Sequence, residues 1–172
     1  QKRNFSQTFD LIINLKDLNL KNAEEQVESF ANLHYNKGRK VKVCALVGQE
    51  LVANAKENCD FMISQLEFDK YAKDKKLTKN LVKDYEFFVA QANIMPQVAA
   101  SFGQFLGPKG KMPNPKAGCI VPPNANLKPL YEKLQKTVKL MAKTSLVVQC
   151  TVGQESMKDE EIADNIITVY NH

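Results

Sequence analysis

The sequence predicts an α/β fold with two domains, one built from both ends of the chain and one inserted between them. In the middle, near-continuous apolar runs alternate with helical patterns, which is typical of strands buried in a parallel sheet. At both ends, strand patterns follow one another without this alternation. We therefore predict a discontinuous terminal domain, residues 1–38 and 137–172, and an inserted domain, residues 39–136.

The terminal domain is expected to hold four strands and a closing helix. β-Branched residues in the run LIINL predict the first strand, and Lys143-Thr144 forms a tight connection between the last two. The predicted strands are Phe5–Leu15, a segment near Glu25–Leu33, Val138–Ala142 and Ser145–Val152. The segment Asp159–Tyr170 predicts an amphipathic helix with acidic residues at its N-terminus. Its expected apolar face is Ile162, Ile166, Ile167 and Val169.

The inserted domain is predicted from three apolar strands that alternate with helices, which implies βαβ units with right-handed crossovers. The strands are Val41–Gly48, Phe61–Ser64 and Phe87–Gln91. The helices are Gln49–Asn58, Glu67–Lys83, Met95–Phe105 and a segment around Leu127–Lys136. Pro96 suits an early helical position, where its missing N–H does no harm.

A loop of unusual length, Phe105–Pro123, separates the last two of these helices. It holds five of the seven prolines, three of the seven glycines and three lysines, without an acidic residue. Such a composition excludes a long helix or a central strand. Loops longer than about 12–15 residues in compact domains are usually functional or disordered, and the apolar residues between these prolines favour a packed, functional loop.

The net charge of +5 is a modest basic bias that suits a nucleic-acid or acidic partner. The inserted domain carries 16 Lys and Arg against 9 Asp and Glu, a net +7, and the terminal domain is −2. No apolar run approaches the ~18 residues of a membrane helix. The first ten residues contain no continuous apolar stretch, so we expect neither a secretion signal nor a membrane partner.

Motifs for catalysis, nucleotides and metals are missing, so we predict that the chain is not an enzyme and has no metal or cofactor. Gly110-Lys111 is followed by Met112 instead of the Ser or Thr of a phosphate loop, and there is no GxGxxG. His34 has no evident catalytic partner in the sequence. The four cysteines are far apart, which favours buried free thiols. Lys70–Lys79 is either a phosphate track or, as favoured from this segment alone, a solvated helix face.

Several segments together resemble a known family, the universal large-subunit ribosomal stalk protein called ribosomal protein L-one, in an archaeal or bacterial version. The most specific is Leu106–Gly118, LGPKGKMPNPKAG. The others, in the family's order, are Phe5–Leu15, Gly38–Val43, Tyr85–Ala90, Ile94–Pro96, Val152-Gly153 and Ala163–Ile166. The crossing Leu33–Asn36 lacks the family's proline. The family's first helix and last strand fall outside these 172 residues, and we expect that they were trimmed.

The resemblance implies a split β–α–β terminal domain and an inserted Rossmann-like domain of three layers. It implies a cytoplasmic protein, monomeric within the large ribosomal subunit, that binds stalk rRNA near the tRNA exit site and helps deacylated tRNA leave. It also admits repression of translation of its own mRNA, and the sequence does not separate a ribosomal protein from a free repressor. A small α/β enzyme or nucleotide-binding domain is the rival hypothesis, which the missing motifs disfavour.

Carried over by motif, the rRNA-binding residues are Phe5, Thr8, Asp10, Val152, Gly153 and Gln154. From spacing alone, Phe5 as a core residue and Thr8 as a plain strand residue are favoured over an RNA role. The domain expected to bind rRNA is the acidic one. Either family segments outside these 172 residues supply basic residues to it, or the basic inserted domain faces tRNA or other RNA. The candidate contacts there are Lys109, Lys111 and Lys116.

Overall fold

The computed structural model describes residues 4–172, apart from the side chain of Ala23. It is an α/β structure with both antiparallel and parallel sheets. The chain divides into two compact units, a terminal unit of residues up to Lys40 together with Gln135–His172, and an inserted unit, Val41–Leu134. Each boundary lies two residues from the one predicted. That these units are independent domains remains a proposal.

Four strands and one helix make up most of the terminal unit. They are β1 (Thr8–Asn14), β2 (Val27–Asn32), β7 (Thr137–Ala142), β8 (Val147–Gln154) and α6 (Asp159–Tyr170). β1 pairs with β8 and β2 pairs with β7, both antiparallel, as two two-stranded sheets. Alternate residues of these strands join α6 in a core that includes Val138, Leu140, Val148 and Cys150. The split β–α–β arrangement remains a proposal.

The buried face of α6 differs from the predicted one. Ile162 and Val169 are buried as expected, but Ile166 and Ile167 are exposed. The third buried position is Asn165, which is fully enclosed. Residues 162, 165 and 169 follow the three- and four-residue spacing of one helix face, so a polar side chain occupies the centre of the helix's inward stripe.

The inserted unit contains a parallel sheet and five helices. Its elements are β3 (Val43–Val47), α1 (Val52–Asn58), β4 (Phe61–Ser64), α2 (Phe68–Lys73), α3 (Lys75–Asp84), β5 (Phe87–Gln91), α4 (Met95–Leu106), β6 (Ile120–Val121) and α5 (Leu127–Lys136), which runs on into the terminal unit. The strand order is β4-β3-β5-β6, all parallel. Every residue of β3 and β5 is buried, as their uninterrupted apolar runs predict.

Two details of the inserted unit correct the sequence-based prediction. The single helix expected over Glu67–Lys83 is two helices, because Asp74 has extended backbone and its carboxylate accepts from the N–H groups of Lys76 and Leu77. Asp74 is thus an N-cap that starts a new helix. The long loop also contributes a two-residue strand, β6, at the edge of the sheet.

A buried glutamine lies at the edge of the sheet where parallel sheets of this type bind nucleotides. β4 and β5 lie on opposite sides of β3, so the carboxyl ends of β3 and β5 form the switch point of the sheet. There Gly48 N–H donates to Gln91 Oε1 over 2.8 Å, and Gln91 Nε2 donates to Glu50 Oε2 over 3.0 Å. Gln91 is buried, and its side-chain amide is hydrogen-bonded to Gly48 and to Glu50 at the same time.

Candidate nucleic-acid interface

The exposed side of the β1–β8 pair is the candidate interface, and we call it the outer face. Its residues are Thr8, Asp10, Ile12 and Asn14 of β1, and Val147, Gln149, Thr151 and Gln154 of β8. The alternating residues Leu11, Ile13, Val148 and Cys150 point the other way and pack in the core. Three residues that the family resemblance assigned to rRNA, Thr8, Asp10 and Gln154, therefore share one exposed surface.

A β-bulge places Gln154 on this face. Asp10 is opposite Thr151 and Phe9 is opposite Gly153, so Val152 has no partner in β1. Since side chains alternate between faces, Thr151 and Gln154 would point to opposite sides of a regular strand. The extra residue restores Gln154 to the side of Thr151, where it lies opposite Thr8.

The side chain of Asn165 binds the bulge from the buried side of the sheet. Asn165 Nδ2 donates to the carbonyl of Val152 over 2.9 Å, which gives the bulged residue a partner outside the ladder. The same amide accepts from Tyr35 N–H over 3.1 Å and donates to the Tyr35 carbonyl over 3.3 Å. One buried side chain thus joins α6, the bulge and the segment that follows β2. The sequence-based prediction missed it, although a lone Asn in an apolar helix stripe is a usable signal.

Val152 and Gly153 themselves are buried and face inward. A Cβ atom on Gly153 would lie 3.0 Å from Ile162 Cγ1 and 3.3 Å from Met157 Sδ, so the glycine allows α6 to pack closely. Gly38 has a similar role on the other side of Gln154. Its φ of +76° is left-handed, and a Cβ there would lie 2.7 Å from Gln154 Cβ. Gly153 thus permits close packing on the buried side of the sheet, whereas Gly38 lies against the side chain of Gln154.

Phe5 precedes β1 and is 65% exposed, so the interpretation of Phe5 as a core residue is wrong. It lines a shallow surface depression with Asn4, Ser6, Glu155 and Ser156. The carbonyl of Gln7 accepts from Glu155 N–H over 2.9 Å, which fastens this segment to the residues after β8. An exposed aromatic ring beside a sheet is available for stacking on a base.

The outer face carries hydrogen-bond donors and acceptors but no cationic side chain. Thr151 Oγ1 donates to Asp10 Oδ1 over 2.7 Å, which orients the carboxylate. The other polar side chains are amides and a hydroxyl, and Ile12 and Val147 are exposed between them. Structured RNA is bound through shape, 2′-hydroxyls and base edges as well as phosphates. A neutral hydrogen-bonding surface with apolar patches suits the 2′-hydroxyls and base edges better than the phosphates.

The three loop lysines have different environments. Lys111 Nζ donates to the carbonyls of Val82 and Tyr85 over 2.7 Å each, so it caps the C-terminal end of α3. Its burial lowers the Lys111 pKa from the usual lysine value, and the positive charge of Lys109 acts in the same direction. Lys109 and Lys116 are both exposed. Of the three lysines predicted to contact RNA, Lys111 is thus already hydrogen-bonded to backbone carbonyls of the protein itself.

The histidine and cysteine side chains also have defined environments. His34 Nδ1 lies 2.7 Å from Asp164 Oδ2, a partner that the sequence did not make evident. Both side chains are exposed, and the pair links the segment after β2 to α6. All four cysteines are free, and burial raises the pKa of Cys119 to about 11. Within residues 4–172, no cluster of His, Cys, Asp and Glu could hold a metal ion.

A comparison with protein families gives one match over residues 1–172, to the "Ribosomal protein L1p/L10e family". The chain belongs to this family. Among its relatives, "Large ribosomal subunit protein uL1" of Methanothermococcus thermolithotrophicus is 41% identical over 169 residues, which are 98% of this chain and 77% of the relative. The protein of the same name from Methanococcus voltae is 42% identical with the same coverage. That from Pyrococcus abyssi is 40% identical over 171 residues, 98% of this chain and 75% of the relative.

Family membership confirms the resemblance found in the sequence, and it agrees with the prediction that the chain is not an enzyme, since this is a family of structural ribosomal proteins. Among the described residues, no helix is both long and apolar enough to span a membrane.

Proposed function

We propose that this chain is a protein of the large ribosomal subunit, present there as a monomer in the cytoplasm, and that it binds structured stalk rRNA beside the tRNA exit site. The proposed contact surface is the outer face together with Phe5. The observation that carries the proposal is that Thr8, Asp10 and Gln154 lie together on one exposed surface, held there by a bulge. Relatives at about 40% identity bear the name of a large-subunit protein, which supports the same assignment.

The direct test is the affinity for a stalk rRNA fragment, measured by filter binding with two matched pairs of variants. Thr8→Val and Asp10→Asn each remove hydrogen-bonding capacity from the outer face. A hydrogen bond that involves a charged group contributes about 1.5–3 kcal/mol, so we expect a loss of roughly tenfold or more for Asp10→Asn. The controls Thr144→Val and Asp17→Asn change the same residue types at exposed positions outside the outer face. Equal losses in variants and controls contradict the proposal.

The salt dependence provides a second test of the same surface. Each phosphate contact contributes a slope of about −0.7 to −0.9 to a plot of log affinity against log salt. Because the outer face contains no cation, we expect a shallow slope, corresponding to no more than about three phosphate contacts. A slope near −6 or steeper is incompatible with this surface as the main contact.

For tRNA, we propose that the basic inserted unit provides the contacts, through Lys109 and Lys116. Lys111 is left out of the test because its ammonium group caps α3. The double variant Lys109→Ala/Lys116→Ala is expected to weaken tRNA binding and to leave the affinity for stalk rRNA unchanged. Equal loss in both assays contradicts this division between the units.

We propose repression of the chain's own mRNA as a second role of the outer face. The supporting argument is that an mRNA segment with the same fold as the stalk rRNA meets the same surface. A competition experiment tests this second role. The stalk rRNA fragment should displace the mRNA leader from the chain, and Asp10→Asn should lower the affinity for both RNAs. A leader that binds while the rRNA site is saturated rules out a shared surface.

A further inference from the structure

A basic groove crosses the surface of the inserted unit, outside the outer face. It lies between the C-terminal halves of α3 and α4 and the start of the long loop, and has a volume of about 710 Å³. Eight residues line this basic groove: Lys79, Val82, Lys83, Gln104, Phe105, Pro108, Lys109 and Lys111. None of the eight is acidic.

Three of its four lysines have no ion pair or hydrogen bond to the described residues through their ammonium groups. Lys79 and Lys83 are one helical turn apart on α3, and Lys109 approaches from the loop. Lys111 is already held by the carbonyls of Val82 and Tyr85. The carboxylates of Glu86 and Asp84 act on Lys111 and offset part of its charge. The like charges of Lys79, Lys83 and Lys109 repel each other, so an anionic occupant gains attraction from several lysines at once.

The floor of the basic groove is apolar. Val82 is buried, Phe105 is half-buried against the core of the unit, and Pro108 is exposed. Single-stranded nucleic acids bind mainly through phosphates on cations and bases stacked on exposed aromatic faces. Phe105 is the only aromatic residue in the lining, and its ring packs against the core. An apolar strip between lysines instead matches a chain with one apolar anchor and carboxylates on both sides.

We propose that the basic groove is a docking site for an acidic peptide segment of another protein, with an anchor of two adjacent apolar side chains on Val82, Phe105 and Pro108 and flanking carboxylates on Lys79, Lys83 and Lys109. Burial of the apolar anchor supplies the short-range attraction. The lysines steer the segment and fix its register, as charges at the rim of an interface do. The basic groove contains no residue of the outer face. It shares Lys109 with the proposed tRNA contact, so the peptide and tRNA should compete for that lysine.

The test uses the whole 172-residue chain and a fluorescein-labelled peptide, Asp-Glu-Asp-Leu-Phe-Glu-Asp-Glu, with fluorescence anisotropy as the readout. The triple variant Lys79→Glu/Lys83→Glu/Lys109→Glu should weaken binding by at least about tenfold, since it removes three attractive charges and adds three repulsive ones. The control Lys56→Glu/Lys73→Glu/Lys128→Glu makes the same charge change at exposed positions outside the basic groove. It should bind within about threefold of the unmodified chain.

Two further arms test the anchor and the class of partner. A peptide with Ser-Ser in place of Leu-Phe should bind at least about tenfold more weakly, because the loss of two apolar side chains removes more than 1.4 kcal/mol. Equal binding of both peptides overturns the proposal. So does tighter binding of a labelled uridine octanucleotide that the triple variant abolishes, since the basic groove is then a nucleic-acid site. If the triple variant unfolds, Lys→Gln at the same three positions replaces it.

Discussion

Replacement of Asn165 by alanine should both destabilise the terminal unit and weaken rRNA binding, although Asn165 touches no solvent. Its amide bonds to the Val152 carbonyl in the bulge and to both backbone groups of Tyr35. Alanine makes none of these hydrogen bonds. The bulge that sets the direction of Gln154 would then lose the hydrogen bond that its carbonyl accepts from outside the ladder.

The expected loss follows from which groups remain buried. Val152 is almost completely enclosed, so its carbonyl loses its partner without access to water. One such group costs about 1–3 kcal/mol. Tyr35 is 43% exposed, so water can replace part of its two backbone bonds and they add less. We expect the free energy of unfolding to fall by about 2–4 kcal/mol.

Urea unfolding followed by circular dichroism measures this loss, and filter binding to the stalk rRNA fragment measures its functional consequence. The control is Asn171→Ala, at the exposed end of the same helix. We expect it to stay within about 0.5 kcal/mol of the unmodified chain. If Asn165→Ala does the same, the buried amide does not stabilise the bulge. If it is destabilised but binds rRNA normally in the folded state, the bulge does not orient the binding surface.

Three other predictions follow from the electrostatics. Ion pairs with two lysines lower the pKa of Glu28 from its usual 4.5, so this stabilisation is present above pH 4.5 and is lost as pH falls through the lowered pKa. Glu28→Gln should therefore lower the free energy of unfolding by about 1 kcal/mol at pH 7. It should also make the free energy of unfolding fall less steeply as the pH is lowered below 4.5. Lys111→Met should cost about 1 kcal/mol in urea unfolding because α3 loses its cap, whereas Lys109→Met should cost less than about 0.5. Burial raises the pKa of Cys59 and Cys119 to about 11, so Ellman's reagent at pH 8 should react slowly with the native chain and fully in guanidinium chloride.

The inserted unit was the easier part to predict. The runs at β3, β4 and β5 are apolar enough to specify buried strands, and β4 and β5 have the predicted bounds. The prediction of one helix over Glu67–Lys83 failed at Asp74, because a single capping side chain ends one helix and starts the next without a change in the hydrophobic pattern. The strand β6 was missed since two residues show no period.

The terminal unit was harder to predict because its key positions depend on partners distant in sequence. The bulge at Val152 depends on pairing with β1, which lies more than 140 residues earlier, and on the side-chain amide of Asn165 in α6. The exposed Ile166 and Ile167 follow from the same contact, since inward placement of Asn165 turns them outward. Helical spacing alone gives several adjacent apolar stripes and does not choose between them.

The sequence by itself determined the α/β class, the family and three of the four strands of the inserted unit, because hydrophobic runs and local motifs encode these directly. Tertiary structure decided which residues of those motifs are available to a partner. It placed Thr8, Asp10 and Gln154 on one exposed face, turned Val152 and Gly153 inward, and bound Lys111 to the end of a helix. The physical reason is that exposure and hydrogen-bond satisfaction depend on contacts between distant segments, which residue type and spacing do not specify.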